Sequence, residues 1–293
     1  MKRYLGIDIG GTNIKYGLFN DQSERLQCKH TEIFSTPRRN LDELLEIIHT
    51  MIKSELPLAG IGICLPGIMD ENDEILDGGS IPCLKGINLK EILTRDYLIP
   101  VKIENDAHAC AIAEKNLGAG YNVENFFNLT IGTGLGGAVV INHELYKGNH
   151  SLAGEVSYLS VQGEYWSKSA SMSALIHQVS LKKKIPRRLI DGYKIMEWSQ
   201  VDININNIYD NWLNALCEGI YNICIMLDPD VVYIGGGISE NEQFITDLQG
   251  RFKNYNSLTH HWNLQRSTFG NDSGYTGAVV SLFLELGIIQ PIS

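Results

Sequence analysis

The pattern of hydrophobic and polar positions predicts strands joined by tight turns at the start of the chain, followed by a helix. Four apolar segments have the length and composition of strands: 4–9, 14–20, 25–33 and 61–65. Between the last two, leucine, isoleucine and methionine recur at helical spacing from Leu41 to Ile52, after the candidate cap Asn40. This order predicts a meander of three strands, a helix and a returning strand.

The second half of the chain repeats this plan, which indicates an internal duplication. Its predicted strands are 126–131, 137–142 and 231–234, with a helical region before the last of them. Between the halves, a strand over 101–104 leads directly into a helix over 106–117. The hydrophobic pattern therefore indicates an α/β protein with two related lobes.

The predicted lobes cover residues 1–117 and 118–274, and a final helix brings 275–293 back onto the first lobe. Two segments lack helical or strand periodicity. Residues 159–172 are predicted to form a loop, and residues 202–207 a turn-rich linker.

The composition is that of an acidic globular protein. Hydrophobic residues make up 44% and charged residues 20% of the 293 positions, and the net charge is −10. We expect no nucleic-acid partner, because such affinity rests on neutralising phosphates. No apolar run approaches the roughly 20 residues of a membrane span, and the first residues lack the apolar stretch of a signal peptide. We therefore expect no membrane partner and a cytoplasmic location.

Two glycine-centred turns, about half a chain apart, each join one predicted strand to the next. The first is Gly10-Gly11-Thr12-Asn13, and the second is Gly132-Thr133-Gly134. Glycine lets backbone N–H groups approach an anion and each threonine adds a hydroxyl, so the turns predict phosphate held from two sides. Residues 132–137 also match G-x-G-x-x-G, but the β-branched run that follows favours a strand over the helix of a dinucleotide-binding turn.

A third glycine run, Gly235-Gly236-Gly237, lies between a predicted strand and a predicted helix. It would contact a nucleotide, and the alternative is a tight turn without a ligand. Three carboxylates are also candidates. Asp106 is either a general base or a helix N-cap, Asp8 either holds Mg²⁺ through water or stabilises its turn, and Glu155 either binds sugar hydroxyls or is solvated.

Together these motifs resemble the ROK family (repressor, open reading frame, kinase). The matching segments are D-I-G-G-T-N-I-K at 8–15, E-N-D-A at 104–107, T-I-G-T-G-L-G-G at 130–137, A-G-E at 153–155 and D-P-D-V-V-Y-I-G-G-G-I at 228–238. Their order and spacing cover nearly the whole chain. The resemblance implies a two-lobed actin-like, hexokinase-type (ribonuclease H-like) fold that binds a sugar and ATP with Mg²⁺ between its lobes, and a homodimer.

The resemblance also implies a role for each candidate residue. Asp106 would take the proton from the sugar hydroxyl that attacks the γ-phosphate. The residues that would contact the sugar are Gly67, Ser80, Asn105, Glu155 and Tyr158. Those that would contact phosphates or the nucleoside are Gly10, Gly11, Thr12, Asn13, Thr133, Gly134, Gly235, Gly236 and Gly237.

The segment after Glu155 departs from the family pattern. Many ROK members continue A-G-E-I-G-H and then carry a cysteine-rich zinc motif, whereas this chain has A-G-E-V-S-Y and no cysteine between Cys110 and Cys217. We therefore expect no structural zinc. By the resemblance, Tyr158 replaces a histidine, and a sugar-binding glutamate is replaced near Ser167; both would contact the anomeric end of a free hexose.

Their loss predicts a pocket that is open at the first carbon of the sugar. The expected substrate is a β-glucoside or a disaccharide such as cellobiose, phosphorylated on the 6-hydroxyl, as the zinc-free β-glucoside kinases of this family look similar in this segment. Tyr158 and Trp166 are candidates to stack on a second ring, although aromatic residues in a loop also serve as core anchors.

Other functions stay open. A zinc-free hexokinase would act on free glucose, another hexose or an N-acetylhexosamine. A catalytically silent sugar sensor is a further alternative, against which the intact Asp106 and both phosphate turns count. A repressor would need an N-terminal helix-turn-helix domain, for which we expect no room before the strand that begins near Arg3.

Overall fold

The computed structural model describes residues 2–26, 33–255 and 262–291. The strands are β1 (Arg3–Ile9), β2 (Asn13–Asn20), β3 (Arg25–Leu26), β4 (Phe34–Ser35), β5 (Gly60–Leu65), β6 (Ile68–Met69), β7 (Ile75–Asp77), β8 (Val101–Asn105), β9 (Phe126–Ile131), β10 (Leu135–Ile141), β11 (Glu144–Tyr146), β12 (Ser160–Val161), β13 (Glu164–Tyr165), β14 (Val231–Gly235) and β15 (Asn263–Arg266). The α-helices are α1 (Leu41–Glu55), α2 (Leu89–Tyr97), α3 (Asp106–Leu117), α4 (Trp166–Ala170), α5 (Met172–Lys183), α6 (Gly192–Ser199), α7 (Ile203–Leu227), α8 (Glu242–Tyr255) and α9 (Ser273–Glu285).

The chain divides into two compact units. The first comprises Met1–Asn122, His143–Ala153 and Asn271–Ser293, and the second comprises Val123–Asn142 and Gly154–Gly270. Residues 143–153 therefore group with the first unit, although the hydrophobic pattern had assigned them to the second lobe. A long-range ion pair from this segment to β8, which no local pattern reveals, helps to hold it there.

The first unit is built on a mixed sheet with the strand order β3-β2-β1-β5-β8. Strands β1 and β2 form an antiparallel hairpin, while β5 runs parallel to both β1 and β8. The predicted meander and returning strand are thus confirmed. The predicted third strand begins as β3, and its remaining residues 27–32 lie outside the described part of the chain.

Helices α1, α3 and α9 of the first unit follow the predicted positions, whereas α2 was not predicted. Asn40 caps α1 by accepting a hydrogen bond from the backbone N of Glu43 at 3.3 Å, as expected for its residue type. Helix α9 confirms the predicted final helix and crosses α3 closely. A Cβ on Gly277 would lie 1.7 Å from the carbonyl oxygen of Ala109, so only glycine permits this crossing.

The second unit repeats the central arrangement of the first. Its sheet contains β10-β9-β14-β15 in that order, with an antiparallel β9–β10 hairpin and β14 parallel to β9. The same combination of hairpin and parallel strand, β2-β1-β5, opens the first unit, which confirms the duplication. Because residues after the second glycine turn form strand β10 rather than a helix, that turn is a hairpin and not a dinucleotide-binding turn.

Two predictions for the second unit were wrong. Residues 159–172 form the short hairpin β12–β13 and helix α4 rather than a loop, because Gln162 and Gly163 make a tight turn with positive φ and Trp166 is fully buried. Residues 202–207 open helix α7, since Asp202 caps it and Ile205 is buried. Within the described ranges, no helix is long and apolar enough to cross a membrane.

Candidate functional site

The first predicted phosphate turn joins β1 to β2 and is held from several sides. The backbone N of Gly10 donates to the carbonyl of Asn13 at 2.9 Å. Thr36 donates its hydroxyl to the carbonyl of Gly10 at 2.6 Å, and its backbone N donates to the carbonyl of Thr12 at 3.0 Å. These bonds give the turn a defined shape before any anion binds, which reduces the cost of binding.

Ser80 lies directly beside this turn. A Cβ built on Gly11 would be 2.4 Å from the Ser80 hydroxyl oxygen, so a side chain at position 11 would displace that hydroxyl. The fold therefore brings together Ser80, predicted to border the sugar, and Gly11, predicted to contact phosphate.

The junction of β8 and α3 places Asn105 and Asp106. The side-chain oxygen of Asn105 accepts from the backbone N of Ala107 and His108, at 2.9 and 3.0 Å, so Asn105 is the N-cap of α3. Its amide nitrogen donates to the carbonyl of Gly67 at 3.0 Å, which joins two of the predicted sugar-binding residues. Asp106, the first residue of α3, is therefore not the N-cap, which was one of the two roles that the sequence left open for it.

The carboxylates of Asp8 and Asp106 interact electrostatically. Burial, and then the neighbouring Asp8 carboxylate, raise the pKa of Asp106 to about 6. Burial also raises the pKa of Asp8, against the opposing effects of Lys15 and a hydrogen bond with Cys64. At pH 7 Asp106 is mostly ionised but close to its titration range, as an effective general base must be.

Asp8 is the carboxylate predicted to hold a divalent cation. Its charge raises the cost of ionising Asp106, and carboxylate oxygens are ligands that Mg²⁺ prefers. A cation that accompanies a nucleotide would relieve the repulsion between the two carboxylates. Among the described residues, no group of three or more His, Cys, Asp or Glu side chains is arranged to hold a metal ion by itself.

In the second unit, the Thr133-Gly134 turn and the glycine run after β14 lie together. The backbone N of Gly132 donates to the carbonyl of Gly134 at 3.0 Å and closes the turn. Gly235 pairs with Thr130 in the parallel β14–β9 register. Gly236 has φ of 87°, and a Cβ there would lie 2.2 Å from the carbonyl oxygen of Ile131. Glycine at 236 thus permits the backbone approach that puts Gly237 beside the same hairpin.

Glu155 precedes a 3₁₀ turn, Val156–Tyr158, which ends at Tyr158 and packs on β10. The hydroxyl of Ser157 donates to the carbonyl of Leu135 at 2.5 Å. A Cβ on Gly134 would be 3.8 and 3.9 Å from the hydroxyl oxygens of Ser167 and Ser157. The segment that follows Glu155 therefore borders the second phosphate turn.

Trp166 is a core anchor, so the idea that it stacks on a second sugar ring was wrong. Its indole is fully buried and donates from Nε1 to the carbonyl of Ala215 in α7 at 2.8 Å. Gly219 makes room for it, because a Cβ at that position would lie 2.1 Å from the indole ring. The β12–β13 hairpin is thus fastened to α7 by a buried aromatic side chain.

Tyr165, the residue before Trp166, is exposed instead. Tyr158 and Tyr165 are 58% and 53% exposed, with ring centroids 5.9 Å apart in an edge-to-face arrangement. The Lys168 ammonium lies 5.5 Å from the centre of the Tyr165 ring. The two exposed rings form an aromatic surface, which we call the tyrosine pair, on the segment that borders the second phosphate turn.

Neither Tyr165 nor Lys147 is among the candidate residues predicted from the sequence. Tyr165 carried a signal, since it stands beside Trp166 in the chain, but sequence cannot tell which of two neighbouring aromatic residues is buried. Lys147 binds Glu104, 43 residues earlier, and no local pattern connects them.

Comparisons with known proteins show relatives over nearly the whole chain. The family model described as "ROK family" matches residues 4–284. A beta-glucoside kinase of Listeria innocua is 30% identical to this chain over 97% of the chain and 98% of its own length.

Solved structures show the same fold. A ROK family protein from Streptococcus pneumoniae in complex with sucrose has a TM-score of 0.82 and 30% identity, covering 97% of this chain and 99% of its own. A ROK family glucokinase from Streptomyces griseus in complex with glucose and AMPPNP also has a TM-score of 0.82, at 23% identity, and covers 96% and 98% of the two chains.

Proposed function

Since the chain belongs to the ROK family and is an ATP-dependent carbohydrate kinase, we propose that it phosphorylates the 6-hydroxyl of a glucosyl unit in a β-glucoside or a disaccharide such as cellobiose. The tyrosine pair, on the segment that lacks the cysteine-rich zinc motif, carries this proposal. Both rings are exposed on the segment whose Ser157 and Ser167 border the second phosphate turn, and aromatic faces bind the apolar faces of amphipathic ligands such as a second sugar ring. The beta-glucoside kinase relative supports a β-glucoside substrate, and the relative that holds sucrose supports a pocket that admits a disaccharide.

In this proposal Asp106 is the general base. Its carboxylate would accept the proton of the acceptor 6-hydroxyl as that oxygen attacks the γ-phosphate, and Asn105 and Glu155 would hold neighbouring hydroxyls. The two threonine-glycine turns would contact the nucleotide phosphates. Phosphoryl transfer asks little covalent chemistry of the protein, so positioning and charge stabilisation account for most of the acceleration.

Asp8 would hold the Mg²⁺ that accompanies ATP, and the ion would supply charge stabilisation to the transferring phosphoryl group. The Asp8→Asn variant is expected to need about tenfold more Mg²⁺ for half-maximal activity. Substituting a residue that contacts a metal through water or another ligand typically lowers metal affinity by roughly 10–100-fold. It also removes one cause of the raised Asp106 pKa, so the acid limb of the kcat/KM profile should move to lower pH.

Magnesium titrations and pH profiles of the parent and Asp8→Asn proteins check both effects. Asp21→Asn, in the exposed turn after β2, is the matched control and should behave as the parent does. An unchanged magnesium requirement in Asp8→Asn would remove Asp8 from the metal site, and an unchanged acid limb would show that Asp106 does not sense its charge.

The substrate is tested by a coupled ADP-release assay with ATP and Mg²⁺. Cellobiose, gentiobiose and an aryl β-glucoside are compared with glucose, mannose, fructose, N-acetylglucosamine and N-acetylmannosamine. The expected result is a higher kcat/KM for the β-glucosides, with the phosphate on the 6-oxygen by NMR of the product. A clear preference for a free hexose or N-acetylhexosamine would contradict the proposal and favour a zinc-free hexokinase, and silence on all sugars would favour the sensor.

The tyrosine pair gives a sharper prediction. Tyr158→Ala and Tyr165→Ala should each lower kcat/KM for cellobiose about tenfold, since an aromatic contact contributes roughly 0.5–1.5 kcal/mol and 1.4 kcal/mol is tenfold. The value for glucose, which has no second ring, should change less than twofold. Tyr193→Ala, an exposed tyrosine on α6, is the control. Equal losses on both sugars would show that the pair does not contact the second ring.

A further inference from the structure

A cluster of charged side chains is centred on the buried Glu104, close in the chain to the predicted base. Glu104, the residue two before Asp106, is 4% exposed. Its carboxylate accepts from the Lys147 ammonium at 2.9 and 3.0 Å, from the backbone N of Asn105 at 3.1 Å, and contacts Nδ1 of His108 at 3.3 Å. Burial acts to raise the pKa of Glu104, but His108 and Lys147 outweigh it and lower the pKa to about 2, so this carboxylate stays ionised.

Lys147 also organises the segment that leads to Glu155. Its carbonyl accepts from the backbone N of Ala153 at 3.1 Å, which closes a loop over residues 147–153. Gly148 has φ of 72° and lies against Ala153, so the two ends of the loop stay together. Glu155 follows this closed loop after a single residue, Gly154.

Glu104 is buried but the Lys147 side chain is 44% exposed, so their contact is a partly exposed ion pair, and such pairs contribute little to stability. A pair of apolar side chains would serve stability equally well. The Glu104–Lys147 pair differs from an apolar contact because it fixes the orientation of the two side chains, since both carboxylate oxygens bind one ammonium. Lys147 is also the one side chain of the loop that an ion pair in the described structure ties to β8.

We propose that Lys147 is a positioning residue for phosphoryl transfer, which through Glu104 anchors both the start of α3 and the loop that precedes Glu155. The inference rests on the proposed roles of Asp106 and Glu155, but not on the identity of the sugar. Lys147 touches no reacting atom in this account. Its contribution is to keep the start of α3 and residues 147–153, which lie in the same unit, in one conformation.

The test separates positioning from stability by comparing Lys147→Met with the double variant Glu104→Gln, Lys147→Met. The single variant leaves a buried carboxylate without its counter-charge, and we expect lower thermal stability, a sugar KM about tenfold higher and an ATP KM within twofold of the parent. The double variant removes that unpaired charge and should recover thermal stability. It still lacks the anchor, so its sugar KM should stay about tenfold high.

Two further variants complete the design. Lys147→Arg keeps the charge and a two-point contact, and should restore the sugar KM to within about threefold of the parent. Lys90→Met breaks the partly exposed Lys90–Asp73 pair, 2.7 Å long, in the same unit, and should leave both KM values unchanged.

A double variant that recovers its sugar KM together with its stability would overturn the inference, because the pair would then serve stability alone. A fall in kcat at unchanged KM in Lys147→Met would overturn it as well, since that result reports only a smaller folded fraction. The assay uses whichever sugar the parent phosphorylates fastest. A preference for free glucose would therefore contradict the proposed substrate and leave the Lys147 test intact.

Discussion

The Asp106→Asn variant is expected to lose about 10³-fold in kcat while it keeps its affinity for the sugar. A positioned general base contributes typically 10²–10⁴-fold, and Asn has no basic oxygen to accept the hydroxyl proton. Asn can still accept the hydrogen bond from the backbone N of Ala107, and Asn105 supplies the cap of α3, so the fold should be preserved. Steady-state kinetics together with calorimetric sugar binding measure the two quantities separately.

The pH dependence of kcat/KM provides a second test of Asp106 as the base. Because the pKa of Asp106 is raised to about 6, kcat/KM of the parent should fall about tenfold per pH unit below pH 6, as the base becomes protonated. The residual activity of Asp106→Asn should lack this limb. Near-normal turnover in the variant, or an acid limb that survives the substitution, would exclude Asp106 as the base.

The stability of the fold should fall as pH rises, whereas kcat/KM should rise. A carboxyl whose pKa rises on folding, from 3.8 to about 6, is disfavoured when ionised, so the fold loses stability as pH rises through this window. Asp106→Asn should therefore be more stable than the parent at pH 7, by up to about 3 kcal/mol, and equal to it near pH 3. Asp42→Asn is the control, because Asp42 is an exposed acidic residue in the first turn of α1, also behind an Asn cap.

The Trp166→Ala variant is expected to lose about 3–5 kcal/mol of unfolding free energy in the second unit. Deleting a fully buried indole leaves a cavity between the β12–β13 hairpin and α7, and it also removes the hydrogen bond to the carbonyl of Ala215. Because the hairpin would lose its attachment, the tyrosine pair should become mobile. Acceptor KM for a β-glucoside should then rise in the fraction that stays folded.

Denaturant unfolding followed by tryptophan fluorescence and circular dichroism measures the loss. Trp198→Ala is the matched control, since Trp198 is only partly buried and should cost clearly less. Gly219→Ala tests the same contact from the side of α7, because the added Cβ would lie 2.1 Å from the Trp166 indole. Overpacking of this kind costs about 1–3 kcal/mol. A loss below about 1 kcal/mol in Trp166→Ala would contradict the anchoring role.

Some helices could be predicted from the sequence, whereas the start of another became clear only in the structure. Helix α3 was predicted at its observed bounds because a strand and an Asn-Asp pair mark its start, and these signals act over a few residues. Helix α7 was missed at its start, since the polar run Asp202–Asn207 matches a linker until the burial of Ile205 is known. Tertiary burial overrode the local signal there.

The candidate site was likewise predicted in part from the sequence and decided in part by the structure. Residue type and spacing identified Asp8, Asp106 and the glycine turns, because each needs a specific local chemistry: a carboxylate at a strand end, or glycine where the backbone approaches an anion. They left open whether Asn105 or Asp106 caps α3. The contacts of Asn105 with the backbone N of Ala107 and His108 answered that question.

The sequence by itself determined the family, the duplicated α/β plan and the choice of candidate site residues, since these follow from short motifs and hydrophobic periodicity. Only the tertiary structure decided which aromatic residue of the zinc-free segment is buried and which is exposed, and that Lys147 binds Glu104. Both outcomes depend on groups 40 or more residues apart in the chain, such as Trp166 with Ala215 and Glu104 with Lys147. Local pattern carries no information about contacts at that separation, because packing and desolvation are set by the assembled fold.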